Sequence, residues 1–179
     1  MWRDLLMYGV LPLWVLGGLV EGWCHRRTHI NAPASRRETA YHLTLLAQMG
    51  LGGLAALWLE INLAMLVLLL ALFLLHEATH WLEIGRPRGT RELQAAERMA
   101  YSFLELLPLF TVLCLIALHG SQAGGWLDPR EWQLRWKDEP LPPGYVLTLC
   151  TVIALFHIVP RLEDTVRHWR AGSPGASLR

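Results

Sequence analysis

Charge is scarce in this sequence. Only 17% of its residues are Asp, Glu, Lys or Arg, 53% are hydrophobic, and mean hydropathy is +0.29. Soluble domains carry about a quarter charged residues. The apolar residues come in blocks rather than at amphipathic spacing, so a bilayer is the expected solvent. Net charge is nearly absent as well. A balance of +1 supplies no bulk electrostatic pull toward nucleic acid, and no nucleic-acid partner is expected. The three cysteines, Cys24, Cys114 and Cys150, form no CxxC spacing, and their odd number argues against a disulfide framework. In apolar runs they read as small packing residues. A signal peptide is not expected at the start. Asp4 sits beside Arg3, no small-x-small pattern precedes Glu21, and Val20-Glu21-Gly22-Trp23 before Cys24 is no lipobox. The 179 residues suffice for one domain.

What is abundant is long apolar sequence. Five runs stand out: Leu5 to Val20, Leu43 to Leu59, Leu63 to Leu75, Leu106 to Leu118 and Tyr145 to Val159. A helix crosses a bilayer core with roughly 20 residues, and about 17 is the lower limit. Several runs reach that length only by drawing in polar flanks, and backbone groups in lipid must bond internally, so each run is expected to be a helix. The expected fold is an all-α, polytopic transmembrane bundle of about five spans. Its helices lie near residues 5–25, 38–59, 62–83, 97–118 and 145–168, with 119–144 an external loop. The second and third helices make a hairpin through Glu60-Ile61-Asn62, where Glu60 and Asn62 read as turn and cap residues. Gly50, Gly52 and Gly53 read as ordinary close packing.

Lys and Arg counts orient the bundle. Arg26, Arg27, Arg36, Arg37, Arg86, Arg88, Arg91, Arg98, Arg161, Arg167, Arg170 and Arg179 fall on one side, against Arg3, Arg130, Arg135 and Lys137 on the other. Twelve against four places the first side in the cytoplasm, the N-terminus outside and the C-terminus inside. Trp126, Trp132 and Trp136 suit an interfacial belt on the outer side.

The polar flanks then sort to one end. Glu21 and His25 close the first helix, and Glu38 and His42 open the second. His76, His80 and Glu83 close the third, and Glu97, Tyr101 and Glu105 lead into the fourth. Spacings of four and seven put each set on one helical face. Ionisable groups at that depth usually face a bundle interior and pair. Facing helices that supply carboxylates and imidazoles are how bundles build two-metal sites. The expected metal ligands are Glu21, His25, Glu38, His42, His76, His80, Glu83, Glu97 and Glu105, with Tyr101 as a redox-active or hydrogen-bonding neighbour. A lone His-x-x-x-His is weak evidence, and a Glu–His pair at i, i+4 is routine. The weight comes from four helices repeating the pattern at one end. The competing reading is a solvated cap of salt bridges to the loop arginines. His157 and His29 read as weaker ligand candidates, Glu77 as the partner of a loop arginine, and Pro108 and Pro160 as tolerated kinks.

Glu21-Gly-Trp-Cys-His-Arg-Arg-Thr-His-Ile30, Glu38-Thr-Ala-Tyr-His42, Leu59-Glu-Ile-Asn62, His76-Glu-Ala-Thr79 and Glu97 through Ser102-Phe-Leu-Glu105-Leu-Leu-Pro108 resemble a family of small, poorly characterised bacterial inner-membrane proteins. The resemblance runs over roughly residues 5 to 118 and implies a bacterial inner-membrane location. It also implies an acidic residue where Asn31 stands, an aspartate near Glu83, and a histidine where Tyr101 stands. The arrangement is more distantly similar to membrane di-iron hydroxylases and desaturases, although their denser His-x-x-His-His boxes are absent.

Four functions compete. The leading one is an oxidase or hydroxylase with two metal ions, iron from the mixed nitrogen and oxygen donors, acting on a membrane lipid or lipid-soluble substrate with an electron donor. The second is a zinc-dependent membrane hydrolase using His25, His76 and His80 with a glutamate base. A haem-b carrier is the third, with five glutamates oddly placed for it. The last is a non-catalytic accessory protein whose charged cap docks a partner.

Overall fold

The computed structural model describes residues 2–28, 36–85, 95–120 and 127–171. Among them, five helices are long and apolar enough to cross a membrane, the architecture of an integral membrane protein. We number them α1 to α5. Helix α1 runs continuously through Trp2–Leu5, a π turn at Leu6–Val10, and Leu11–Thr28. Helices α2, α3 and α4 are Arg36–Trp58, Leu63–Ile84 and Ala95–Gly120. Helix α5 is Pro143–Ile153, a π turn at Ala154–Ile158, and Val159–Ala171. Each helix extends past its apolar run into the polar flank, as lipid thickness demands. Apart from an isolated Leu59–Trp136 bridge, the described residues hold no β-structure.

Helix ends follow from local chemistry. Asn62 caps α3, its Oδ1 accepting from the Met65 N–H at 3.0 Å. The Gly85 N–H closes the other end on the Trp81 carbonyl at 3.0 Å. Pro143 opens α5 where an N–H has no partner to lose. The two π turns share a cause. Pro12 and Pro160 each follow the end of a π turn by two residues. A proline ring clashes with the carbonyl four residues back, here Tyr8 and Phe156, and both lie inside the widened turns. The wider loop moves that carbonyl out of the way without breaking the helix.

The main packing contacts join α2 to α3, α1 to α4, α3 to α4, α2 to α5 and α1 to α5. Each helix thus touches two others, and the five close into a ring ordered 1–4–3–2–5. The apolar core is Met65, Leu66, Leu69, Val112 and Leu115 between α3 and α4, with Leu6, Ala55, Ala56, Leu59 and Ile61 against it. That core lies toward the end holding the α2–α3 turn. There the chain folds back on itself. Glu60 N–H bonds the Arg135 carbonyl and Lys137 N–H bonds the Trp58 carbonyl, both at 2.9 Å. Asn62 Nδ2 donates to the Gln133 carbonyl at 2.8 Å, and Arg135 pairs with Glu60 at 2.7 Å. The Lys137 ammonium reaches the Ala56 and Leu59 carbonyls, where the α2 dipole is negative. Glu60 and Asn62 are turn and cap residues, as the sequence suggested. They also hold the α4–α5 connection, which the sequence did not reveal.

Candidate functional site

At the opposite end of the ring lies a cavity of about 120 Å³ lined from all five helices. Helix α1 supplies Trp14, Gly18, Glu21 and Gly22, and α2 supplies His42, Leu45, Leu46 and Met49. Helix α3 supplies His76, His80 and Glu83, α4 supplies Leu104 and Glu105, and α5 supplies Phe156, His157, Pro160 and Arg161. Titratable and apolar side chains both line its wall.

Six of the nine expected ligands therefore share one cavity: Glu21, His42, His76, His80, Glu83 and Glu105. Five of them, all but Glu105, are buried. His25, Glu38, Glu97 and Tyr101 lie on α1, α2 and α4, but their side chains fall outside the described residues, as do His29 and Asn31 entirely. Helical spacing explains the convergence. His76, His80 and Glu83 occupy one face of α3, and the ring turns that face inward.

Within the cavity the groups meet in pairs. His80 Nδ1 lies 2.5 Å from Glu105 Oε1, a short contact of the kind made when a ring N–H donates to a carboxylate. His42 Nε2 lies 2.8 Å from Glu83 Oε1, but the oxygen stands off the N–H axis, so the contact has ion-pair distance without hydrogen-bond alignment. On its other side, His42 Nδ1 accepts from Arg161 Nη1 at 3.2 Å. The same guanidinium pairs through Nη2 with Glu21 Oε2. His76 is nine-tenths buried, and its Nδ1 makes no hydrogen bond among the described residues. Its polar neighbours are the Leu45 backbone, His80 and Glu83. Three carboxylates thus share the cavity with one guanidinium, an excess of negative charge that burial makes unfavourable unless protons or a cation balance it. Among the described residues, no three His, Cys, Asp or Glu side chains stand close enough together to hold a metal ion as a closed set.

Arg161 escaped the sequence reading, where it counted only as a basic tail residue. The signal was its place four residues after His157, on the same helical face. His157 itself proves to be a packing residue that also lines the cavity. Its ring stacks on Trp14 with centroids 5.7 Å apart at 7°, and Nε2 donates to the Val15 carbonyl at 3.2 Å. Gly18 makes room for it, since a Cβ there would sit 1.9 Å from His157 Cε1. Gln48 and Thr79 were also missed. Gln48 Nε2 donates to Thr79 Oγ1 at 3.0 Å, and Thr79 donates to the Leu75 carbonyl at 2.8 Å, a buried polar bridge between α2 and α3. Glu77, expected to pair with a loop arginine, has a buried Oε1 without a hydrogen-bond partner among the described residues, and its charged neighbours are Glu105 and His80.

No family model, curated protein or solved structure matches this chain. The site must be read from its own residues.

Proposed function

We propose that this chain is a bacterial inner-membrane metalloprotein whose cavity holds two metal ions, iron in the first instance, at the cytoplasmic end of the bundle. The N-terminus lies outside, following the Arg distribution. The protein acts as an oxidase or hydroxylase on a membrane-soluble substrate, with electrons from a separate donor.

The observation that carries this reading is the meeting of Glu21, His42, His76, His80 and Glu83 from three helices around one cavity, with His76 Nδ1 buried and unbonded. An orphaned buried imidazole nitrogen among excess carboxylates is the donor chemistry a cation satisfies. The His42–Glu83 contact favours the same reading. An imidazole and a carboxylate this close would both be at hand to hold a cation once the His42 ring proton has moved. Glu105, held to His80 Nδ1, serves as the carboxylate that fixes the imidazole ring and its tautomer. Among the described residues no three donors form a closed set, so metal binding would have to draw the pairs together.

Iron so held would supply oxygen-activating redox chemistry. The protein's own part is to orient the donors, balance their charge with Arg161, and limit water. Leu45, Leu46, Met49, Leu104 and Phe156 give the cavity an apolar wall suited to an alkyl or isoprenoid chain.

Metal content by mass spectrometry on detergent-purified protein tests the reading, beside a His76→Ala variant. About two equivalents of iron in the native protein, as bundle sites of this composition hold, and their loss in His76→Ala are expected. Zinc at one equivalent with no visible absorbance would shift the function to hydrolysis. Folded, metal-free protein that takes up no added iron or zinc ends the metal reading and leaves a docking role.

A further inference from the structure

Arg161 does more than balance charge. A guanidinium only donates hydrogen bonds, so its 3.2 Å contact requires His42 Nδ1 to accept. The ring proton of neutral His42 then sits on Nε2, the nitrogen beside Glu83. A metal ion cannot use His42 in this arrangement through either nitrogen. Bound at Nδ1, it would stand where the guanidinium stands. Bound at Nε2, it displaces the proton there, and a neutral ring must then carry its proton on Nδ1, facing the Arg161 N–H donor to donor. Glu21 is held in the same way, since its Oε2 is engaged by Arg161 Nη2.

From this geometry we infer that Arg161 is an internal competitor for the metal: the guanidinium occupies the cation's place between Glu21 and His42, and metal binding requires it to withdraw. The inference rests on the metal reading above and deepens it, because it makes α5 the element whose position reports metal occupancy. When Arg161 leaves, Glu21 is free to accept the new Nδ1–H of His42 or to bind the ion itself. Its departure also removes an electrostatic tie between α5 and both α1 and α2. The Val159–Ala171 segment of α5 follows the π turn and Pro160, a place where the helix already departs from regular hydrogen bonding.

The test is titration of the full-length protein in nanodiscs with Mn²⁺ and, anaerobically, Fe²⁺. Native protein is compared with Arg161→Gln and Arg161→Lys, and hydrogen exchange of residues 159–171 is followed in the native protein with and without metal. Arg161→Gln should bind metal at least about tenfold more tightly than native protein, the ordinary scale of coupling between mutually exclusive ligands. Arg161→Lys should fall between them, because a single ammonium cannot fork across Glu21 and His42. Metal should also speed exchange of residues 159–171 in the native protein. Equal or weaker metal binding by Arg161→Gln, or native exchange at 159–171 unchanged on metal saturation, overturns the competitor role while leaving the metal site standing. If neither native protein nor variant binds metal, the metal reading itself falls and takes this one with it. The exchange measurement needs no variant, so misfolding of Arg161→Gln would not protect the idea.

Discussion

Gly18→Ala offers the sharpest probe of how the site is held. A methyl group at position 18 would lie 1.9 Å from His157 Cε1 and 2.6 Å from its Nδ1, so the ring must move or the α1–α5 seam must open. The imidazole is an end group and moves more readily than backbone, but it is pinned by the Trp14 stack and the Val15 hydrogen bond. Expelling it forfeits a net hydrogen bond of about 1 kcal/mol and a ring contact of about 1 kcal/mol. Repacking the seam costs about 1 kcal/mol more, at the low end for overpacking. Against this stands the helix-propensity gain of alanine over glycine, about 1 kcal/mol. The net is a loss of about 2 kcal/mol, which in a chain of this size lowers Tm by about 4–8 °C. Differential scanning fluorimetry at one scan rate in detergent measures it. Gly53→Ala on α2 is the control, since nothing lies within 4 Å of its added carbon, and it should be neutral or gain up to about 1 kcal/mol. His157→Ala supplies the other arm of a double-mutant cycle. Once the ring is gone its clash goes with it and only alanine's helix-propensity gain remains, so the two losses should fail to add by about 3 kcal/mol. An unchanged Tm for Gly18→Ala, or strictly additive losses in the double variant, would refute the pinned-ring account.

Two further outcomes follow from the polar groups outside the cavity. Asn62→Ala removes the α3 cap and the link to Gln133 together, and should destabilise by about 1–2 kcal/mol while making the 127–142 segment more sensitive to protease. Equal cleavage rates in native and variant protein would dismiss the idea that Asn62 anchors that segment. Gln48→Leu keeps the volume, leaves Thr79 bonded to the Leu75 carbonyl, and removes an amide oxygen that has no hydrogen-bond partner among the described residues. Stability should therefore stay within about 1 kcal/mol of native, as read by the same thermal assay, and a drop of several kcal/mol would show that the α2–α3 bridge carries real weight.

How much of this molecule was legible beforehand differs from one element to the next. Helix number, the α2–α3 hairpin and the polar flanks of each span were readable, because lipid forces apolar runs into helices and hydrophobic length is a local property. The shared face of His76, His80 and Glu83 was readable for the same reason, since helical periodicity belongs to a single segment. Arg161 was not. In the chain it belongs to a basic tail, and only the packing of α5 against α1 and α2 brings its guanidinium between Glu21 and His42. Of the loop arginines expected to pair with Glu77, Arg86, Arg88 and Arg91 lie outside the described residues, and angular offset from His76 did not reveal that Glu105 and His80 are its charged neighbours.

Periodicity and hydropathy thus decided which residues could turn toward a common centre, through forces acting within each helix and between helix and lipid. The order of the ring, the pairing of His42 with Glu83 and of His80 with Glu105, and the entry of Arg161 were decided by helix–helix packing. Apolar surfaces in lipid attract one another with little specificity, so which helices become neighbours depends on side-chain shape and on where buried charges find partners. Those are relations between segments remote in the chain, and they exist only once the bundle has closed.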